Sequence, residues 1–188
     1  MTTATTVYEQ PVEGFGTVRV APVDPDRDAP LIHAWVNEER ARFWGMGGTT
    51  VEQVREIYAH LDSLSTHHGY LVHRDDVPVG VFQTYDPEAD RISECYEARP
   101  GDIGVHLFIA PGLAPEPGFT GRILTALVDF TLTDRTRIVI EPDAANEKAI
   151  ARMVRAGFVL GPEVVLPEVD LPEVFIPEKR ARLAFLSR

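Results

Sequence analysis

The sequence has little that would cross-link the chain or hold it in a membrane. Cys95 is its single cysteine, so no intrachain disulfide can form. No apolar run approaches the roughly 20 residues that cross a bilayer. Residues 1–6 lack the basic start and the apolar middle of a signal peptide. These absences predict a cytoplasmic protein with no membrane partner.

Positive charge is also scarce, since 18 Lys and Arg residues stand against 29 Asp and Glu, for a net charge of -11. A field of this sign repels phosphate backbones, and no basic stripe offsets it, so we expect no nucleic-acid partner. A cationic small-molecule substrate suits the charge better. His60, His67 and His68 have no acidic or cysteine partner at ligand spacing, so we predict no metal site.

The composition is that of an ordinary globular protein. Hydrophobic residues make up 44% and charged residues 25% of 188 residues, which favours one folded domain. Periodicity and turn signals predict strands at 18–23, 70–73, 79–85, 92–98, 102–109, 137–140 and 182–186, and helices at 31–36, 38–44, 119–133 and 145–155, with a further helix capped by Thr49 or Thr50. The alternation of strands and helices predicts a parallel or mixed sheet with a ligand crevice at the carboxyl ends of its central strands.

Three segments carry a family resemblance: residues 33–37 with 43–44, residues 98–106, and residues 141–150. They resemble the siderophore-biosynthesis acyltransferases of the GNAT superfamily, including those that acylate N-hydroxylysine, N-hydroxyornithine or N-hydroxycadaverine. The aminoglycoside 6'-N-acetyltransferases share part of the pattern. The resemblance implies a mixed α/β GNAT fold, a central twisted mixed sheet flanked by helices, over residues 18–188. Residues 1–17 would then be an N-terminal extension.

The resemblance also implies an acyl-CoA co-substrate, either acetyl-CoA or succinyl-CoA. The pantetheine chain would pair with the strand at 105–109. The pyrophosphate would sit on the loop that enters the next helix, because a helix N-terminus offers unpaired N–H groups to an anion. The implied CoA contacts are Leu107, Phe108, Ile109, Gly118, Phe119, Thr120, Gly121, Arg122 and Asn146.

The loop at 118–122 departs from the usual superfamily pattern of Gln/Arg-x-x-Gly-x-Gly/Ala. In the register that keeps Gly118, Pro115 replaces the first residue and Thr120 the last. An ordinary helix start that contains glycine is the alternative interpretation.

His106 and Asp143 are the predicted catalytic residues. Each lies at or near the end of a predicted strand, and adjacent parallel strands would bring both to the same end of the sheet. Asp143 is ionised at neutral pH and can accept a proton, while His106 can orient the acceptor or share the role of base. Each residue also has a structural alternative, Asp143 as a helix N-cap and His106 as a hydrogen-bonded core histidine.

The resemblance places Trp35, Asn37, Phe43 and Trp44 on the acceptor side of the cleft. Aromatic walls there can shape an acyl or polymethylene chain, although core packing explains them equally well.

Together with the family resemblance, His106 and Asp143 predict an enzyme that transfers an acetyl or succinyl-type group from CoA to an N-hydroxylated amine, without a covalent intermediate. The alternatives are acetylation of an aminoglycoside or another small amine, and a CoA-binding module without turnover. The sequence makes no prediction about oligomeric state.

Overall fold

The computed structural model describes residues 5–112, 114–172 and 175–187. The chain divides into two compact units, residues 1–83 with 107–126 and residues 84–106 with 127–188. Within the described residues, no helix is long and apolar enough to cross a membrane.

The elements follow one another along the chain with short connections. The first are β1 Tyr8–Val12, β2 Gly16–Pro22, α1 Pro25–Val36, a 3-10 helix at Glu39–Trp44, α2 Val51–Ser63, β3 His67–Arg74 and β4 Val77–Tyr85. The next are 3-10 helices at Pro87–Ala89 and Arg91–Glu94, β5 Asp102–Ile109, α3 Phe119–Thr131 and β6 Arg137–Ile140. The last are α4 Glu147–Arg155, β7 Val159–Leu166, β8 Val169–Asp170, β9 Phe175–Ile176 and β10 Lys179–Ser187.

Side-chain caps begin the two longer helices in the first half of the chain. Asp24 accepts hydrogen bonds from the N–H groups of Asp26 and Arg27 at the start of α1, each at 3.1 Å. Thr50 and Gln53 satisfy each other's backbone N–H groups in a capping box at the start of α2. The capping predicted from the spacing of Thr50 is therefore confirmed.

In the first unit the strands lie in the order β1, β2, β3, β4, and β2 is antiparallel to both β1 and β3. The strands predicted at 70–73 and 79–85 are confirmed as the neighbours β3 and β4. β2 buries Val18 and Val20 completely, as the alternation in its sequence requires. Ile32 of α1 lies in one apolar cluster with Val54 and Tyr58 of α2, so the amphipathic faces of these helices supply the core of this unit.

In the second unit the strands lie in the order β5, β6, β10, β7. β5 is parallel to β6, with Gly104 opposite Val139, whereas β10 is antiparallel to both β6 and β7. The sheet is therefore mixed, as predicted. Tyr85, Ile92 and Leu183 lie in the buried cluster of this unit.

The strand predicted at 92–98 is wrong. The chain forms 3-10 helices at Pro87–Ala89 and Arg91–Glu94 instead. Asp86 and Asp90 each begin one of them, because an aspartate side chain accepts a backbone N–H two residues ahead and so stabilises a turn. A second difference is β7, for which the sequence pattern predicts no strand.

β1 at Tyr8–Val12 lies inside the predicted N-terminal extension 1–17, of which residues 1–4 lie outside the described residues. β1 pairs with β2, so this segment contributes an edge strand to the sheet. The single domain over residues 18–188 remains a prediction.

Candidate active site

The parallel pairing of β5 and β6 brings His106 together with Glu141. Gly104 faces Val139 in this pairing, so two residues further on His106 comes to face Glu141, the first residue after β6. The Nε2 atom of His106 forms a hydrogen bond with Oε1 of Glu141. The histidine predicted from the sequence therefore has a carboxylate partner, but that partner is Glu141.

Glu141 is a buried carboxylate with several partners. The residue is 5% exposed, and its Oε2 accepts a hydrogen bond from the Tyr85 hydroxyl at 3.1 Å. Lys179 Nζ lies 3.7 Å from Oε1 and donates to the Glu141 carbonyl at 2.9 Å. Burial alone would raise the pKa of Glu141, but His106, Lys179 and Tyr85 outweigh it and lower the pKa to about 2. Glu141 is thus a stable anion at neutral pH.

Gly104 allows the Tyr85 ring to reach this carboxylate. A Cβ atom on Gly104 would lie 1.9 Å from Cζ of Tyr85, so the ring occupies the space that any other residue would fill. The same ring lies 5.1 Å from the His106 ring, at an interplanar angle of 38°. Burial, followed by the charge of Glu141, raises the pKa of Tyr85 well above its ordinary value. Tyr85 is therefore a neutral hydrogen-bond donor that packs beside His106.

Hydrogen bonding to Glu141 determines which nitrogen of His106 carries the proton. A carboxylate accepts only, so Nε2 carries the hydrogen that it donates, and in the neutral ring Nδ1 carries the lone pair. The His106 side chain is hydrogen-bonded, as in the structural alternative, but it is 34% exposed and so is not fully buried. His106 is thus held at Nε2, while part of its side chain faces solvent.

Asp143 follows Glu141 by two residues and is half-buried. Its Oδ1 accepts a hydrogen bond from the N–H of Ala145 at 2.8 Å. The helix-cap alternative for Asp143 is wrong, because α4 begins only at Glu147 and its N-cap is Asn146, which accepts from Ala149 N–H at 3.2 Å. The roles of Asp143 in proton transfer and of Asn146 in CoA binding stay predictions.

The strand proposed to bind pantetheine includes Leu107, Phe108 and Ile109. The Phe108 side chain is 8% exposed and lies 5.5 Å from the Trp44 ring in the core of the first unit. The neighbouring strand packs closely here, since a Cβ on Gly80 would lie 2.3 Å from the Phe108 carbonyl oxygen. Any contact of Phe108 with CoA would therefore involve its main chain, while Leu107 and Ile109 are half-buried.

The loop at 118–122 forms the start of α3. Gly118 has φ 77, a conformation that favours glycine, and α3 begins at Phe119. A Cβ atom on Gly118 or Gly121 would meet nothing within 4 Å, so this surface is open. Arg122 donates to Glu116 at 3.2 Å. These features are compatible with the predicted phosphate-binding role of residues 118–122.

The residues predicted on the acceptor side are engaged within the first unit. Trp35 is 8% exposed and belongs to the same apolar cluster against which Trp44 packs. The Asn37 side chain accepts a hydrogen bond from Gly48 N–H at 2.7 Å and so organises the loop before α2. The Phe43 ring lies under the guanidinium group of Arg42. Their contact with substrate stays a prediction.

Sequence reasoning missed Glu141, Tyr85 and Lys179. Glu141 had a partial signal, because it directly follows a predicted strand next to that of His106, but the register that sets the two residues opposite each other is not in the sequence pattern. Tyr85 and Lys179 had none, since their segments meet Glu141 only through the sheet. In the part of the chain that the structure describes, no group of three or more His, Cys, Asp or Glu side chains is arranged to hold a metal ion.

The chain is similar to known acyltransferases in sequence. Residues 24–166 match the model of the acetyltransferase (GNAT) domain. The N-hydroxyputrescine acetyltransferase of Acinetobacter baumannii is 28% identical over 98 residues, which cover 51% of this chain and 46% of that protein. The lysine N-acyltransferase MbtK of a Mycobacterium species is 31% identical over 134 residues, covering 68% and 54%. The chain thus spans about half the length of these curated relatives.

A solved structure supports the same fold. The aminoglycoside acetyltransferase AAC(6')-Ib, in complex with paromomycin and acetyl-CoA, has a TM-score of 0.75 and 23% identity, and the match covers 91% of this chain and 93% of that one. The predicted mixed α/β GNAT fold is therefore confirmed. Because the family match covers most of its length, the chain belongs to the GNAT acetyltransferase family.

Proposed function

We propose that the protein transfers an acetyl or succinyl-type group from CoA to the nitrogen of an N-hydroxylated amine and so forms a hydroxamate for siderophore biosynthesis. The observation that carries the proposal is the partly exposed His106, held by a buried carboxylate, with Asp143 in the segment that follows the next strand, β6. The N-hydroxyputrescine acetyltransferase supports this acceptor class by sequence, and the lysine N-acyltransferase supports acyl transfer to an amine nitrogen. N-hydroxycadaverine, N-hydroxylysine and N-hydroxyornithine are the candidate acceptors.

The reaction is a direct transfer. The lone pair of the acceptor nitrogen attacks the thioester carbonyl carbon, the C–S bond of the tetrahedral intermediate breaks, and CoA leaves as a thiolate. The nitrogen loses a proton and the thiolate gains one, so the products are a hydroxamate and CoA. A hydroxylamine is less basic than an alkylamine, so its nitrogen is already neutral at pH 7 and needs no strong base.

Asp143 is the proposed proton acceptor, and His106 is proposed to bind the N-hydroxy group. The Nε2–H of His106 is committed to Glu141, so the acceptor's O–H would donate to Nδ1. Glu141 itself is buried and acts as a positioning residue that fixes this tautomer. The net charge of -11 favours acceptors that carry an ammonium group at the far end.

Replacement of the two candidate catalytic residues tests the proposal. We expect His106→Ala and Asp143→Asn each to lower kcat/KM for hydroxamate formation by roughly 10²- to 10⁴-fold, the usual contribution of a positioned acid or base. Ferric-hydroxamate absorbance and CoA release are the readouts. The exposed His68 provides the control, since His68→Ala should keep full activity. Full activity of both site variants would contradict the assigned roles.

Acetylation of an ordinary amine is the second candidate function, and the fold shared with the aminoglycoside acetyltransferase supports it. Turnover of each N-hydroxy amine should be compared with that of its parent amine and of an aminoglycoside. Higher kcat/KM for the parent amine or the aminoglycoside would favour this second function. A thermal shift with acetyl-CoA but no turnover of any acceptor would instead indicate a CoA-binding module.

A further inference from the structure

Glu116 bridges two arginines directly before α3. Its Oε2 pairs with Nη1 of Arg74, and its Oε1 accepts from Nη1 of Arg122 at 3.2 Å. Arg74 is the last residue of β3 and Arg122 lies in the first turn of α3, so the carboxylate joins two separate elements. All three side chains are partly exposed, with values of 29%, 31% and 41% for Arg74, Glu116 and Arg122.

Aromatic packing holds the two guanidinium groups in place. Arg74 lies 4.2 Å and Arg122 5.4 Å from the centroid of the Phe15 ring, which is buried. Phe119 packs edge-on against the same ring at 5.3 Å. Arg74 also donates from Nε to the Phe15 carbonyl at 2.6 Å. Phe15 therefore orients Arg74 so that its Nη1 atom reaches Glu116.

The arrangement is that of an anion site in which the anion is part of the chain. Two guanidinium groups that share one carboxylate have the spacing to share two oxygens of a phosphate, for which arginine is equally suited. The site lies at the first turn of α3, whose N-terminus favours negative charge. The pairing of Glu52 with Arg55 differs, because these two residues are neighbours on one helix.

We propose that Glu116 is an internal counter-ion that a phosphate group of CoA displaces, and that Arg74 is a further phosphate-binding residue, contributed by β3. This inference rests on the proposed binding of CoA at residues 118–122. While the site is empty, Glu116 keeps the two arginines paired and correctly placed. When CoA binds, its phosphate takes over both guanidinium groups, and the Glu116 side chain moves to solvent, which it already contacts.

Titration calorimetry tests the proposal with three ligands: acetyl-CoA, acetyl-3'-dephospho-CoA and acetyl-pantetheine. We expect Glu116→Gln to bind acetyl-CoA roughly two- to fivefold more tightly, because a competing pair of partly exposed charges is removed. Arg74→Gln should weaken acetyl-CoA roughly two- to tenfold, the loss of one charge-assisted contact at a partly exposed site. Neither substitution should change the affinity for acetyl-pantetheine, which has no phosphate.

The three ligands also identify the phosphate. If both effects persist with acetyl-3'-dephospho-CoA, the diphosphate displaces Glu116; if they disappear, the 3'-phosphate does. Both results support the proposal. Glu52→Gln is the matched control and should leave all three affinities unchanged, because its pair with Arg55 lies on one exposed helix face.

Unchanged or weaker binding of acetyl-CoA by Glu116→Gln would overturn the proposal, as would an equal effect on acetyl-pantetheine. Melting temperature in the absence of ligand shows whether each variant is folded. These outcomes are distinct from failure of the proposed function, in which the unchanged protein would form no hydroxamate, and from failure of the proposed CoA binding, in which it would bind none of the three ligands.

Discussion

Replacement of Glu141 by glutamine removes a buried charge while keeping the shape of the side chain. Three groups face this carboxylate: His106 Nε2, the Tyr85 hydroxyl and Lys179 Nζ. They lower its pKa from the ordinary value of 4.5 to about 2. Since each pKa unit corresponds to about 1.4 kcal/mol, the ionised carboxylate stabilises the folded state by up to about 3 kcal/mol.

The sign follows from the direction of the shift. The folded-state pKa of Glu141 lies below its unfolded value, so the folded protein binds this proton less tightly than the unfolded chain does. The stabilisation is fully present above about pH 4.5 and is lost as the pH falls through the folded-state value of about 2. Glu141→Gln should therefore lower the free energy of unfolding by about 3 kcal/mol at pH 7 and by much less near pH 2.5.

Urea unfolding at pH 7, 5, 3.5 and 2.5, followed by circular dichroism, measures this difference. Glu163→Gln is the control in the same unit, because Glu163 pairs with the exposed Arg180 and should change stability by less than about 1 kcal/mol. A loss below about 1 kcal/mol for Glu141→Gln at pH 7, or a loss that does not shrink with acid, would refute the reasoning.

The same variant should lower kcat while leaving the KM for acetyl-CoA unchanged, because Glu141 orients His106 and does not touch CoA in the proposed mechanism.

Two further substitutions test packing and capping in the first unit. Gly80→Ala should destabilise the protein by about 1–3 kcal/mol, because the new Cβ would lie 2.3 Å from the Phe108 carbonyl, whereas Gly47→Ala meets open space and should be nearly neutral; equal melting temperatures of the two variants would disprove this. Thr50→Ala removes the capping oxygen that serves Gln53 and should cost about 1 kcal/mol in chemical unfolding, with no change in midpoint arguing against the cap.

Local signals in the sequence were sufficient for most of the fold. Thr50 followed by Gln53 predicted the start of α2, and alternation at 18–23 predicted β2. These signals work because capping and strand alternation involve residues a few positions apart. The strand predicted at 92–98 was wrong because its apolar residues favoured a strand, whereas the side chains of Asp86 and Asp90 stabilise turns.

In the candidate site, only the positions of single residues followed from the sequence. The sequence by itself determined that His106 lies on a central strand and that Asp143 follows the next one, because both positions depend only on where strands end. It also determined the family, through segments that are contiguous in the chain.

Only the tertiary structure decided which groups meet. The register of β5 against β6 chose Glu141 as the partner of His106, and packing over Gly104 brought the Tyr85 hydroxyl to the same carboxylate. Glu116 met Arg74, from β3, in the same way. Such pairs depend on sheet register and on packing between distant segments, which no local pattern encodes, and they determine the charge of the site and the tautomer of its histidine.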